Sequence, residues 1–474
     1  MSTALIDDVL AWSDRRPDAP AIVSTRLSMT FAELGSAVRR TASRLRQLGL
    51  KPGDVVGVHA VPEWEAVLTL AVLHEGAVSL HASAAVSDAY GDRISLHLGR
   101  APESRATTRR MIDVDDAFIA SLGAVNPVIA PRPVPDEGLV RVVFSSGTTG
   151  TPKGIAFTEA ALRARTDSAR FNWMPADPFF CLLGIDTVSG FQTFAWSMLH
   201  GEPWFVPGDG PANAALMRQV GVRSIKTSPA RLAELLDAVE SAGATLPALE
   251  SVQAAGALVS AALIRRCETL TGLRLVYLYG STEAGTITAG TADAARPARL
   301  GTVVKGAELR VLDDEGLPID EPGAIGVIEY RTAATAEAYW SIEVEPSPFH
   351  EGWFRPGDRG SLDAQGVLEL SGRTDDLVNA GGSKVNLADL DRRLDELDIF
   401  HDVATFSYER SAGVTAIGVV FASGLDLPAD VFAQRIRAAV SGVEISSLIR
   451  VDRVPRNARG KVTRHQLATL LEES

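Results

Sequence analysis

The stretch Ser145-Ser146-Gly147-Thr148-Thr149-Gly150-Thr151-Pro152-Lys153-Gly154 follows directly on Leu139-Val140-Arg141-Val142-Val143-Phe144. The second run is apolar and of strand length, so it reads as a buried strand that empties into a polar loop. In that loop glycines let backbone N–H groups approach an anion closely. Hydroxyls can donate to phosphate oxygens, and the lysine adds a point charge. The spacing is not G-x-x-x-x-G-K-[ST], which excludes a P-loop NTPase signature. A strand that delivers an anion-binding loop is an α/β arrangement, and the rest of the chain can be read outward from it.

Toward the N-terminus, Thr30-Phe31-Ala32-Glu33 has the form of a capping box. Phe31, Leu34, Val38, Ala42, Leu45 and Leu48 then recur at helical spacing, and Gly49 stands where a C-cap falls. After the turn Lys51-Pro52-Gly53-Asp54, Val55-Val56-Gly57-Val58 reads as a short buried strand, parallel and central. Residues 101–137 lose periodicity and read as a loop or variable crossing. Toward the C-terminus, residues 220–285 alternate strand and helix, and Glu308–Leu312 with Gly326–Tyr330 predicts a hairpin-rich β segment. A boundary is expected near Gly372-Arg373-Thr374-Asp375-Asp376. Beyond it, Arg450 to Arg464 forms a local basic stretch, read either as a solvated face or as a dock for a phosphorylated or acidic acceptor.

At 474 residues the chain calls for two or more domains. It is 46% hydrophobic and 22% charged, which excludes disordered and fibrous classes. A formal charge of −13, from 46 basic and 59 acidic residues, argues against a nucleic-acid partner. Cys181 and Cys267 are too few for a disulfide framework or a cysteine-rich zinc site, and they read as buried small hydrophobes in a reducing setting. No signal peptide is legible at the start, and no run of about 18 apolar residues occurs, so a cytoplasmic protein without a membrane span is expected.

Four further motifs lie in order behind the loop. They are Tyr279-Gly280-Ser281-Thr282-Glu283, Gly352-Trp353-Phe354-Arg355-Pro356-Gly357-Asp358, Gly372-Arg373-Thr374-Asp375-Asp376 and Pro455-Arg456-Asn457-Ala458-Arg459-Gly460-Lys461. With the loop, they resemble the five signatures of the AMP-forming acyl-CoA synthetase, adenylation-domain and luciferase superfamily. The resemblance runs over nearly the whole chain. It departs at Pro356, where the family usually has a hydroxyl residue, and in the absence of the His-x-x-Gly found in many acyl-CoA synthetases.

The resemblance implies an α/β fold. A large N-terminal domain (1–374) of layered α/β subdomains with a β-rich third part would carry ATP and the acid. A small mobile α+β domain (375–474) would carry the catalytic lysine. The implied activity is ATP-dependent conversion of a carboxylic acid to acyl-AMP with loss of pyrophosphate, then transfer to the thiol of CoA. By the same resemblance Ser145, Ser146, Gly147, Thr148, Thr149, Gly150 and Lys153 hold phosphates. Gly256, Ala257 and Tyr279 contact the nucleotide, and Asp358 and Arg373 the ribose. Thr282 meets the α-phosphate, Glu283 binds Mg²⁺ and Lys461 bridges carboxylate and α-phosphate. Such a cation would stabilise charge developing in the transition state, and Mg²⁺ suits one or two carboxylates plus substrate oxygens. Asp375 is the implied hinge, and Gly381 with Gly382 the implied path of the thiol arm, with Lys384 read as a surface residue beside them.

The implied acid pocket involves Asp186, Val188, Ala255 and Gly280. If Asp186 faces the pocket, an amino acid becomes a plausible substrate; if it caps a helix, a neutral acyl or aryl acid is favoured. Two other readings stay open. One is a stand-alone adenylation enzyme that loads an acyl, aryl or amino acid onto the phosphopantetheine of a carrier protein. The other is a non-catalytic sensor of nucleotide or acyl ligand.

Overall fold

The computed structural model describes residues 5–99, 110–128, 130–134, 138–145, 152–173, 177–380, 383–397, 399–411, 414–440, 442–456, 462 and 464–471. Two sheets carry the large N-terminal part. In the first the strand order is Met111–Ile112, Leu96–Gly99, Val55–His59, Val78–His81, Leu139–Ser145, Lys153–Thr158. The first five run parallel, and Val55–His59 lies inside the sheet as its apolar run predicts. The sixth strand turns back antiparallel on the fifth, with Ser145 opposite Lys153. The glycine-rich stretch is therefore the connection of a hairpin, a second strand that the sequence reading did not anticipate.

The second sheet changes character along its width. Phe179–Cys181, Ser224–Thr227, Ser251–Ala255 and Leu275–Ser281 are parallel neighbours. From Leu275–Ser281 onward the pairing is antiparallel, through Gly285–Thr291, Arg299–Val303, Val367–Arg373, Asp358–Leu362 and Gly326–Thr332. This half is the expected β-rich part, and Ala307–Leu312 pairs with Gly326–Thr332 as the hairpin reading predicts. The helix Phe31–Gln47 begins in the expected capping box, with Thr30 and Glu33 bonded reciprocally. The 101–137 reading needs correction at the edge strand Met111–Ile112 and at a short helix. Asp116–Ser121 is a helix, and the Asp115 side chain caps it by accepting from the Phe118 N–H at 2.7 Å. Six residues are too few to show a period, so the cap was its only legible trace.

The apolar residues fall into separate cores. One extends from Leu5 to Leu368 and joins the helices to both sheets. Two smaller ones, Val385 to Ile445 and Ala404 to Leu467, fill a C-terminal unit. That unit has a three-stranded sheet (Asp402–Ser411, Val414–Ala422, Ile445–Arg450) with the helices Leu387–Asp395 and Ala429–Ala439. Fold class and large-plus-small architecture thus match expectation. Among the polar contacts between the described residues of the two units, Asn386 Nδ2 donates to Ser371 O at 2.7 Å, and the Ala261 N–H donates to Asp395 Oδ2 at 3.3 Å. Both cysteines are buried free thiols, and burial raises the pKa of each. Among the described residues no helix is long and apolar enough to cross a membrane.

Candidate active site

Strands of the second sheet bring Tyr279, Asp358 and Arg373 together from distant points in the chain. Asp358 and Arg373 are register partners on adjacent antiparallel strands. Arg373 Nη1 donates to Asp358 Oδ1 at 2.7 Å, and Nη2 donates to Pro356 O at 2.9 Å. The Tyr279 hydroxyl donates to the other carboxylate oxygen, Oδ2, at 2.6 Å. Burial, and then the nearby Asp358 charge, raises the Tyr279 pKa well above its usual value, so the phenol stays a donor. Each carboxylate oxygen of Asp358 retains a lone pair for a diol hydroxyl. Pro356 departs from the family pattern in its side chain, but what it contributes to Arg373 is a carbonyl that any residue supplies.

The Tyr279–Glu283 motif turns tightly into the next strand. A Cβ on Gly280 would lie 2.0 Å from Gly285 O, so glycine is required there. The turn aims Glu283 inward, where it is 6% exposed. The backbone of the turn is clamped from behind by Arg165 of the helix Glu159–Trp173, itself 3% exposed. Arg165 donates to Thr282 O at 2.9 Å, Glu283 O at 3.0 Å and Ala334 O at 2.9 Å. Burial lowers its pKa to about 10 against the opposing pull of Glu283, so the guanidinium stays charged at neutral pH.

The Glu283 carboxylate has one close contact of interest, the Tyr339 hydroxyl, which donates to Oε1 at 3.2 Å. The ring of Tyr339 lies 5.2 Å from Lys153 Nζ, at the end of the phosphate hairpin. Ser145 Oγ donates to Lys153 O at 3.3 Å, so the two ends of the loop are pinned to each other. A cleft with a carboxylate on one wall and an ammonium on the other suits a triphosphate with Mg²⁺. The Tyr339 bond occupies one lone pair of Glu283, and the remaining ones can meet a hard cation that also takes phosphate oxygens.

At the implied acid pocket, Thr187 and not Asp186 caps the helix Val188–His200, accepting from the Gly190 N–H at 3.0 Å. The helix-cap reading of Asp186 is thereby overturned: a threonine one residue later has the better reach. Asp186 instead stands in the field of the fully buried Arg141, whose pKa burial lowers to about 10 while Glu65 and Asp186 oppose the shift. Burial disfavours charge on His81, yet Glu65 at 2.8 Å from its Nδ1 outweighs it and raises the His81 pKa, with Asp186 adding to the rise. Val188, Ala255 and Ala257 are half-buried, and Gly256 and Gly280 are exposed at the C-terminal ends of parallel strands. Ligands of open α/β sheets bind at such strand ends. Gly256 has φ +91°, a conformation costly for other residues, and the Tyr277 hydroxyl bonds Ala257 O beside it.

Three arginines of the basic stretch are engaged within the C-terminal unit. Arg450 donates to Ser423 O and Leu425 O, Arg456 pairs with Asp402, and Arg464 pairs with Asp376 at 2.8 Å and Asp391 at 2.9 Å. Asp376 closes the short helical turn Thr374–Asp376, so Arg464 ties the implied hinge to the end of the small unit. Ser146, Gly147, Thr148, Thr149, Gly150, Gly381, Gly382 and Lys461 lie outside the described residues, as do the side chains of Asp375 and Lys384. Sequence reasoning missed Arg165 and Tyr339. The first sits in a helix with no motif, and the second is one aromatic among several in residues 330–354.

The fold is that of a two-unit α/β protein, with the candidate site at strand ends of its larger unit. The chain belongs to the AMP-binding enzyme family, whose model matches residues 9–340. It is 27% identical to an indoleacetate–CoA ligase of Aromatoleum aromaticum over 97% of both chains. It is 30% identical to the phosphinothricin tripeptide synthetase PhsC of Streptomyces viridochromogenes, over 97% of this chain and 44% of that one. The fold matches that of o-succinylbenzoate coenzyme A synthetase (MenE) from Bacillus subtilis in complex with ATP and magnesium ion. That match has a TM-score of 0.82 at 19% identity, over 97% of this chain and 99% of the other.

Proposed function

We propose that this chain is an AMP-forming acid–CoA ligase. The observation that carries this reading is that the Tyr279–Asp358–Arg373 cluster and the Glu283–Tyr339–Lys153 set lie within electrostatic reach of each other, the Arg373 charge acting on Tyr339. Asp358 and Arg373 would hold the ribose, and Tyr279 would flank the adenine. Ser145 to Gly150 and Lys153 would hold the pyrophosphate half, with Thr282 at the α-phosphate. Mg²⁺, held by Glu283 and phosphate oxygens, would neutralise phosphate charge when bound.

In the first step a carboxylate oxygen attacks the α-phosphorus, the bond from α-phosphorus to bridging oxygen breaks, and pyrophosphate leaves. Alignment and charge neutralisation are what the chain must supply. Lys461 would stand beside the incoming carboxylate. In the second step a thiol sulfur attacks the acyl carbon of the mixed anhydride, and AMP leaves. We place the hinge at Asp375, with domains of 1–374 and 375–474. Rotation there would exchange Lys461 for Gly381 and Gly382, whose lack of side chains would admit a phosphopantetheine arm. Asp186, Val188, Ala255 and Gly280 would border the acid. The free, buried thiols of Cys181 and Cys267 suit a reducing cytoplasm.

CoA is the acceptor we favour, because relatives matched along their full length, such as the indoleacetate–CoA ligase, are CoA ligases by name. The likeness to part of PhsC favours a second reading, transfer to the phosphopantetheine of a carrier protein. The test is acid-dependent ATP–pyrophosphate exchange with aryl, fatty and amino acids, followed by thioester formation with CoA or a carrier. Lys461→Ala is expected to abolish exchange while Mg·ATP binding persists. Exchange at the unmodified protein's rate would refute the role given to Lys461, and no exchange with any acid would leave the sensor reading.

A further inference from the structure

The two walls of the phosphate end come from different sheets. Lys153 opens the returning strand of the first sheet, and Glu283 sits on a turn of the second. One segment, residues 332–340, touches both. At its start Thr332 Oγ1 donates to Ala284 O at 2.8 Å, and the Ala336 N–H donates to Glu283 O at 2.8 Å. At its end the Trp340 N–H donates to Gly154 O at 2.7 Å. The Trp340 ring packs against Tyr90 at 5.5 Å and Phe144 at 6.3 Å, and the Tyr90 hydroxyl donates to Pro152 O at 2.6 Å. The segment is therefore anchored by backbone hydrogen bonds to the Glu283 turn and to the phosphate hairpin.

Tyr339 stands between these anchors. Its hydroxyl holds Glu283 Oε1, its ring faces Lys153 Nζ, and its other side packs edge-on against Phe349 at 5.0 Å. We infer that Tyr339 is a positioning residue that fixes the Glu283 carboxylate relative to Lys153, and so sets the site for the β- and γ-phosphates with their divalent cation. The inference rests on the reading of this cleft as an ATP site. The physical case is one of pre-organisation. A glutamate rotamer held by a donor loses less freedom when it meets a cation, and a lysine over an aromatic face is likewise restrained.

AMP lacks the two phosphates that this pair would serve, which gives the test its control. Tyr339→Phe keeps the ring and removes only the donor. By calorimetric titration it is expected to weaken Mg·ATP binding about 10- to 30-fold, the worth of one hydrogen bond to a charged group. The Mg²⁺ concentration giving half-maximal ATP binding is expected to rise by a similar factor, and AMP affinity to stay within about 2-fold. Tyr339→Leu, which also removes the face toward Lys153, is expected to weaken Mg·ATP further at the same AMP affinity. Equal loss of AMP and Mg·ATP affinity, or unchanged Mg²⁺ dependence in Tyr339→Phe, would overturn the inference. If the unmodified protein binds Mg·ATP but shows no acid-dependent exchange, the ligase reading fails while this inference is still decided by the titrations.

Discussion

The two ends of the nucleotide cleft are built in different ways. The ribose end lies within one sheet: Asp358 and Arg373 face each other by strand register, and Tyr279 reaches them from the same sheet. Register on a sheet with one buried face is strongly specified, so this end is as rigid as the sheet itself. The phosphate end spans two sheets, and its geometry depends on side chains and on one connecting segment. The end proposed to receive the part of the nucleotide common to ATP and AMP is thus fixed by backbone pairing. The end where pyrophosphate must form and leave is held by contacts that single substitutions can loosen.

The largest effect should come from the rigid end. Asp358→Ala removes the shared acceptor of Tyr279 and Arg373. Two charge-assisted hydrogen bonds at about 1.5–2 kcal/mol each imply a roughly 10²- to 10³-fold fall in kcat/KM for ATP. AMP binding should fall in parallel, because the ribose is common to both ligands. If AMP binding is retained, the ribose end is not where this account puts it.

A smaller and more selective effect is expected from Arg165→Met. The substitution removes the donor from the carbonyls of Thr282 and Ala334 and leaves Glu283 O with the Ala336 N–H alone, at a cost of about 2 kcal/mol by denaturant titration. In the folded fraction KM for Mg·ATP should rise several-fold, with AMP affinity preserved. Equal effects on both ligands would erase the contrast between the two ends. The smallest change is expected at Pro356. Serine there restores the family's hydroxyl but keeps the carbonyl that Arg373 uses, so kcat/KM for ATP should move by less than about 3-fold. A larger gain would show that the hydroxyl has a role in this enzyme that the carbonyl does not replace.

The same contrast governs what could be read from the sequence. Motif residues at strand ends were legible because chemistry and strand geometry coincide there. Tyr279, Asp358 and Arg373 were expected in one site, and Asp358 stands within hydrogen-bond distance of both others. The parallel strand Val55–His59, the capped helix at Phe31 and the β-rich segment followed from period and turn residues. Supporting contacts were not legible. Arg165 is a charged residue in an ordinary helix, and only the fold turns it inward beneath the Glu283 turn. The basic run 450–464 suggested a docking face because charge along the chain says nothing of partners across it. Asp402, Asp376 and Asp391 lie far away in sequence and pair with two of its members, Arg456 and Arg464. Asp186 was expected to cap a helix that Thr187 caps instead, since neighbouring residues can serve equally until the backbone chooses.

The central claim is that the cleft activates an acid by transferring AMP to it. The most direct measurement is analysis of nucleotide products after incubation with Mg·ATP, CoA and an accepted acid. The account predicts AMP and pyrophosphate in equal amounts, formed only when the acid is present. ADP and inorganic phosphate as products, or AMP released at the same rate without any acid, would contradict it.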